Sequence, residues 1–143
     1  MRLLGVDPGA VHVGVSEWED QTCVAAYELT PQTLAVRIYD GFTHDFDILC
    51  AEDYFSQGGF GSAQTGRDTT MLLGYLTWDY VMATGRNVRL TSRGARSGAL
   101  KRLQAVRYPF VGAGKGDHAR DAEAVVVAAM KWGAREVTAR PGG

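Results

Sequence analysis

Acidic side chains closing short apolar runs are the residues of this 143-residue chain whose types and spacing suit chemistry. Asp7 ends the run Leu3-Leu4-Gly5-Val6, and Glu52 ends Ile48–Ala51. Far downstream, Asp117-His118-Ala119-Arg120-Asp121 opens a helical pattern. His118 and Asp121 stand at i and i+3 and share a face; Asp117 and Asp121, at i and i+4, nearly share it. With the two runs as parallel neighbouring strands, Asp7 and Glu52 converge at the sheet edge where α/β proteins build sites. A helix packed there adds a third and a fourth ligand. Three or four oxygens with an imidazole suit Mg²⁺ or Mn²⁺ rather than zinc. Two such ions, about 3.5–4 Å apart, activate a water and stabilise the leaving oxygen in phosphodiester hydrolysis. Carboxylates gathered in this way repel one another, and a cation relieves that strain. Each residue also has a plainer role. Asp7 before Pro8-Gly9 forms turns, Glu52 and Asp53 suit an exposed strand end, Asp117 is a natural helix N-cap, and a lone His118 is ordinary surface. Their occurrence together, in this order, makes the case.

The elements that must position these residues follow from periodicity. Arg2–Asp7 reads as a buried strand turning at Asp7-Pro8-Gly9. Val11, Val13 and Val15 alternate with polar or small residues in a second strand, and Cys23–Leu29 forms a third, so an antiparallel meander comes first. Pro31 starts a short helix closed by Gly41. Ile48–Ala51 has parallel-strand character. A glycine-rich loop, Ser56–Gly66, precedes a helix from Thr69 to about Ala83 that is apolar over most of its circumference, as expected of a helix covered by a second subunit. Val88–Thr91 is a strand, Gly98–Val106 a basic amphipathic helix, Gly112–Gly116 a flexible loop, and Asp117–Trp132 a final helix. The order β-β-β-α-β-α-β-α-α predicts an α/β fold with a five-stranded mixed sheet and helices on both faces. Residues 1–143 make one domain, with 134–143 expected to be a tail.

Composition bounds the function. Apolar residues make 45% and charged residues 22%, ordinary for a globular protein and against a fibrous repeat or disordered tail. The longest apolar run, Ala124–Met130, is far short of the roughly 20 residues of a bilayer span. Neither a secretory leader nor a membrane partner is expected, and two cysteines without metal spacing read as buried free thiols of a reducing cytoplasm. The net charge of -1 hides a segregation: residues 1–85 carry 3 basic and 12 acidic side chains, whereas 86–116 carry 8 basic and none acidic. Such a block suits a polyanion, with Arg93, Arg96, Lys101 and Arg102 as backbone-phosphate contacts. Arg67 at a helix start and Lys115 in the loop before the last helix suit phosphate too. Gly112-Ala113-Gly114-Lys115-Gly116 lacks the P-loop pattern, so no nucleotide cofactor is expected.

Three segments resemble one family. Leu4-Gly5-Val6-Asp7-Pro8-Gly9, Ala51-Glu52-Asp53-Tyr54-Phe55 and His118-Ala119-Arg120-Asp121-Ala122 are similar, in order and spacing, to the motifs of RuvC-type Holliday junction resolvases of the RNase H-like (retroviral integrase) superfamily. The short bacteriophage-encoded RuvC-like endonucleases are the most similar kind. The resemblance implies the RNase H-like strand order 3-2-1-4-5. It assigns Asp7, Glu52, His118 and Asp121 as catalytic metal ligands for two Mg²⁺ ions, with Mn²⁺ as substitute. Phe55 falls where the family places an aromatic near the DNA bases. Asp117 and Asp53 lie outside the motif positions. The family's DNA-contacting lysines are not cleanly matched, since arginines dominate here, and the stretch between the first two motifs is shorter than in typical bacterial members. The implied activity is paired nicking of four-way or related branched DNA by a homodimer, leaving 5′-phosphate and 3′-hydroxyl ends, in the cytoplasm (the host's, for a phage protein). The alternatives are a same-fold nuclease for other branched DNA or RNA–DNA hybrids, and an inactive junction-binding module.

Overall fold

The computed structural model describes residues 1–54 and 63–137. Phe55, most of the glycine-rich loop and the tail Thr138–Gly143 lie outside the described residues.

The chain begins with β1 (Arg2–Asp7), whose residues are buried from Leu3 onward. Apolar residues at successive positions, rather than alternate ones, mark a strand covered on both faces. The turn at Pro8 reverses it into β2 (Val13–Glu19), paired antiparallel with Asp7 opposite Gly14. β3 (Thr22–Leu29) completes the meander, with a register shift at Glu17/Trp18. Thr30 then caps α1 (Pro31–Tyr39), its hydroxyl accepting from the Thr33 N–H at 3.1 Å, and Pro31 takes the first turn, where no N–H partner is needed. A 3-10 turn at Phe42–Asp45 leads into β4 (Ile48–Glu52), which runs parallel to β1. α2 (Ala63–Thr84) returns the chain to β5 (Val88–Thr91), parallel to β4. α3 (Arg93–Ala105) and α4 (Asp117–Lys131) follow, then β6 (Arg135–Val137).

The sheet has six strands in the order β3-β2-β1-β4-β5-β6, so the expected five-stranded order holds and is extended by one. β6 pairs antiparallel with β5 inside the segment expected to be tail. Three residues of mixed polarity carry no period, which is why the sequence does not announce the strand. α2 starts six residues before the expected Thr69. α3 starts at Arg93 rather than Gly98, because Ser92 accepts a hydrogen bond from the Ala95 N–H at 3.0 Å; this cap outweighs the helix-weakening Gly94 and Gly98.

Strand alternation sorts the core into two layers. Leu4, Val6, Val13, Val15, Leu49, Ala51, Val88 and Leu90 face α1 and α2, where they meet Leu34, Ile38, Leu73, Leu76 and Tyr80. Leu3, Trp18 and Cys50 face the other way, against Ala119, Val125, Val126 and Ala129 of α4. α3 packs on the outer side of α4 through Ala99, Ala124 and Ala128. Both cysteines are buried and unpaired. No helix among the described residues is long and apolar enough to cross a membrane.

Candidate active site

Alternation puts Leu3, Gly5 and Asp7 of β1 on the α4 side of the sheet, and Cys50 and Glu52 of β4 beside them. The parallel register Val6↔Ala51 carries on to bring Asp7 and Glu52 side by side at the strand ends. α4 reaches them because the sheet beneath it has been cleared. A Cβ on Gly14 would overlap the His118 carbonyl, and one on Gly5 would lie 2.6 Å from the Ala122 carbonyl oxygen. In the same track, the Ser16 hydroxyl donates to that Ala122 carbonyl at 2.8 Å while accepting from the Trp18 indole N–H at 2.9 Å. Small residues here let the helix backbone approach closely enough for its first turns to meet Asp7.

The meeting is direct. His118 Nδ1 lies 2.8 Å from Asp7 Oδ2, and Asp7, His118 and Asp121 offer ligand atoms all within 4.8 Å of one another. Glu52, 1% exposed, is joined to them through Arg96. The Arg96 Nε donates to Glu52 Oε1 at 3.0 Å, and its Nη1 is 3.5 Å from Asp121 Oδ1. Three of the four expected groups, Asp7, His118 and Asp121, therefore meet directly, and the fourth, Glu52, is linked to Asp121 through the Arg96 guanidinium.

The electrostatics are those of a crowded acid site. Burial, reinforced by Glu52 and Asp121 and opposed by the His118 hydrogen bond, raises the Asp7 carboxyl to about 6. Burial raises Asp121 too, against the pull of Arg96 and His118. His118 is raised above its ordinary value chiefly by its hydrogen bond to Asp7, against burial. Burial works against the charge on Arg96, but Glu52, Asp121 and Asp7 prevail and its pKa rises. The donor set, carboxylate oxygens with one imidazole, fits a hard divalent cation, which would offset the cost of burying the Asp7 charge beside Glu52 and Asp121.

The other expected residues distribute differently. Arg96, expected at a DNA phosphate, is turned inward with its side chain 15% exposed. Arg67, Arg93, Lys101, Arg102 and Lys115 are exposed. The Arg102 guanidinium stacks on Trp132, 4.8 Å from the ring centre. Asp117 stands apart from the Asp7–His118–Asp121 group and is not the N-cap: it is the first residue of α4, 84% exposed, paired with Arg120. Gly116 occupies the cap position without a side chain. The capping is done from β3, where Glu28 accepts from the His118 N–H at 3.0 Å. Sequence reasoning missed Glu28, and no local signal marks a partner 90 residues away. Asp53 accepts from Arg135 at 3.1 Å, which ties β6 to the end of β4.

No protein-family model matches the sequence, and no curated protein matches it. Solved structures do. A Thermus thermophilus RuvC in complex with a Holliday junction substrate superposes with a TM-score of 0.71 at 14% identity, covering 96% of this chain and 99% of that one. Another Thermus thermophilus RuvC structure matches with a TM-score of 0.62 at 16% identity, covering 96% and 100%. Over nearly its whole length, then, this α/β chain has the fold of those RuvC structures.

Proposed function

We propose that the protein is a divalent-cation-dependent endonuclease that resolves four-way and related branched DNA. The observation that carries this reading is the convergence of Asp7, His118 and Asp121 within 4.8 Å, with Glu52 one hydrogen-bonded step away. A trio of exposed acids would mean little; here one carboxylate is buried, raised to about 6 and held to an imidazole, at some cost to folding. Asp7, Asp121, Glu52 and His118 would hold the cation. When bound, Mg²⁺ or Mn²⁺ supplies charge stabilisation at the phosphate and lowers the pKa of water. The chain's own part is to fix the donors. Asp7 holds the His118 ring through Nδ1, which leaves Nε2 either to join the cation or, in place of that, to accept or deliver a proton, and Glu28 holds the backbone of His118 in place. Exposed Arg67, Arg93, Lys101, Arg102 and Lys115 would meet phosphates along the strands, with affinity falling steeply as salt rises.

Paired nicks across a two-fold junction call for a two-fold protein. The homodimer reading is supported by α2, where Met71, Tyr75, Trp78 and Met82 follow one another at intervals of three and four residues and are all exposed. A stripe of that spacing on a surface helix suits a second copy of the same helix. The buried free thiols accord with a reducing cytoplasm.

The test is cleavage of end-labelled four-way, Y-shaped and linear duplexes with Mg²⁺, with and without Asp7→Asn, alongside light scattering of Trp78→Glu. Expected are Mg²⁺-dependent cuts in the four-way substrate, none with Asp7→Asn, and a monomeric Trp78→Glu. Equal cutting of all three substrates removes the junction claim. Binding without cutting, unchanged by Asp7→Asn, favours a junction-binding module.

A further inference from the structure

Arg96 is the residue that the proposed reaction leaves unexplained. Its guanidinium does not lie along one carboxylate, as a structural pair would. It spans two that come from different elements, Glu52 of β4 at 3.0 Å and Asp121 of α4 at 3.5 Å, and it is shielded from solvent to 15% exposure. Both carboxylates belong to the set that would hold a divalent ion. While Arg96 is in place, Glu52 Oε1 is taken, and Glu52 stands outside the group formed by Asp7, His118 and Asp121. The site thus carries a built-in cation where charge must be neutralised, and a divalent ion brought among the same oxygens meets a positive charge held close by.

We propose that Arg96 is a stand-in cation: it keeps Glu52 and Asp121 together in the ion-free protein and must give way for the divalent ion to gain Glu52 as a ligand. The inference rests on the nuclease reading above. It makes ion binding a competition. Without Arg96 the acids repel one another and the ion-free protein is weaker, but the ion binds more tightly. A purely structural Arg96 would do the opposite, because its removal would misplace Glu52 and weaken ion binding.

The experiment uses DNA-free protein and Mn²⁺ alone, followed by the electron paramagnetic resonance of the free ion and by thermal unfolding. Arg96→Gln is expected to bind Mn²⁺ at least about tenfold more tightly than wild type. It is also expected to melt lower in EDTA and to gain more in melting temperature on adding Mn²⁺. Arg96→Lys, which keeps the charge, is expected to stay near wild type. Equal or weaker Mn²⁺ binding by Arg96→Gln overturns the stand-in role. Should neither protein bind Mn²⁺ at all, the nuclease reading falls with it; wild-type binding that Arg96→Gln does not improve sinks the stand-in alone. A second measurement needs no variant. In wild type, the Arg96 Nε–H resonance is expected to be protected from solvent exchange in EDTA and to lose that protection as Mg²⁺ saturates the site. Protection that survives saturation refutes displacement.

Discussion

Replacing Asp7 by Asn should make the ion-free protein more stable at neutral and alkaline pH, although the site is thereby destroyed. Burial, with Glu52 and Asp121 nearby, lifts the Asp7 carboxyl from 3.8 to about 6. Between those values the folded chain keeps a proton that the unfolded chain has already released. Stability therefore falls as pH climbs through that window, and the loss is complete somewhat above pH 6. A rise of that size corresponds to about 3 kcal/mol. The favourable His118 contact is already inside the figure, since it is one of the causes that set the final value. His118 adds to the trend in the same direction. Its pKa lies above 6.5 chiefly because of Asp7, so its share is present below 6.5 and disappears as pH rises through the raised value. Asn keeps the shape and hydrogen-bonding ends of a protonated Asp and carries no charge, so both declines flatten. Urea unfolding in EDTA at pH 4, 6 and 8 measures this. Asp7→Asn should be no more stable than wild type near pH 4, where the His118 share is lost with Asp7, and should exceed it by about 3 kcal/mol at pH 8. Mn²⁺ should then stabilise wild type and leave the variant unmoved. A variant that is equally or less stable than wild type at pH 8 in EDTA would refute the claim that Asp7 is held against its preference.

Two further substitutions test the scaffold. Gly14→Ala places a methyl against the His118 carbonyl, so β2 or the start of α4 must shift. A loss of about 2–3 kcal/mol in urea unfolding is expected, with weaker Mn²⁺ binding, because His118 and Asp121 ride on that helix. Glu123, wholly buried, accepts from the Tyr108 hydroxyl at 3.2 Å and from the Val111 and Gly112 N–H groups at 3.1 and 2.8 Å, anchoring the segment that delivers the chain to α4. Glu123→Ala should cost about 3 kcal/mol and speed protease cleavage within residues 106–116; an unchanged digestion rate would mean that other contacts hold this segment.

The parts of the fold legible in the sequence are those with a period or a stop signal. Unbroken apolar runs in Arg2–Asp7 and Ile48–Glu52 marked doubly covered strands, and their acidic ends marked the sheet edge where the site lies. Pro31, Gly41 and Gly85 bounded helices at sites where the backbone has positive φ or needs no N–H partner. What stayed illegible has a common physical cause, namely contacts between residues far apart in sequence. Glu28 caps a helix 90 positions away, and β6 exists only by pairing with β5. The glycines at 5 and 14 could equally have been loose points in weak strands until α4 pressed against them.

Arg96 is the sharpest instance. It sits in a stretch with 8 basic and no acidic residues, and a charge count assigns every member of such a stretch to solvent or to a polyanion. Whether a given side chain faces out or in depends on which helix face meets the site. Arg93, one turn earlier, is exposed at the start of α3, whereas Arg96 reaches Glu52 and Asp121. That arrangement answers a difficulty already present in the sequence. Several carboxylates at one point repel, and a chain that gathers them on folding must offset that repulsion over any interval in which no cation is bound. Aspartates alone would leave that interval to chance. An arginine from the adjoining helix supplies a positive charge that is part of the chain, always protonated and shaped to hold two carboxylates at once. If the proposed competition holds, the strength with which this arginine is held would set how much free cation the site requires before it fills, and ion affinity would be a property of α3 as much as of the proposed ligands.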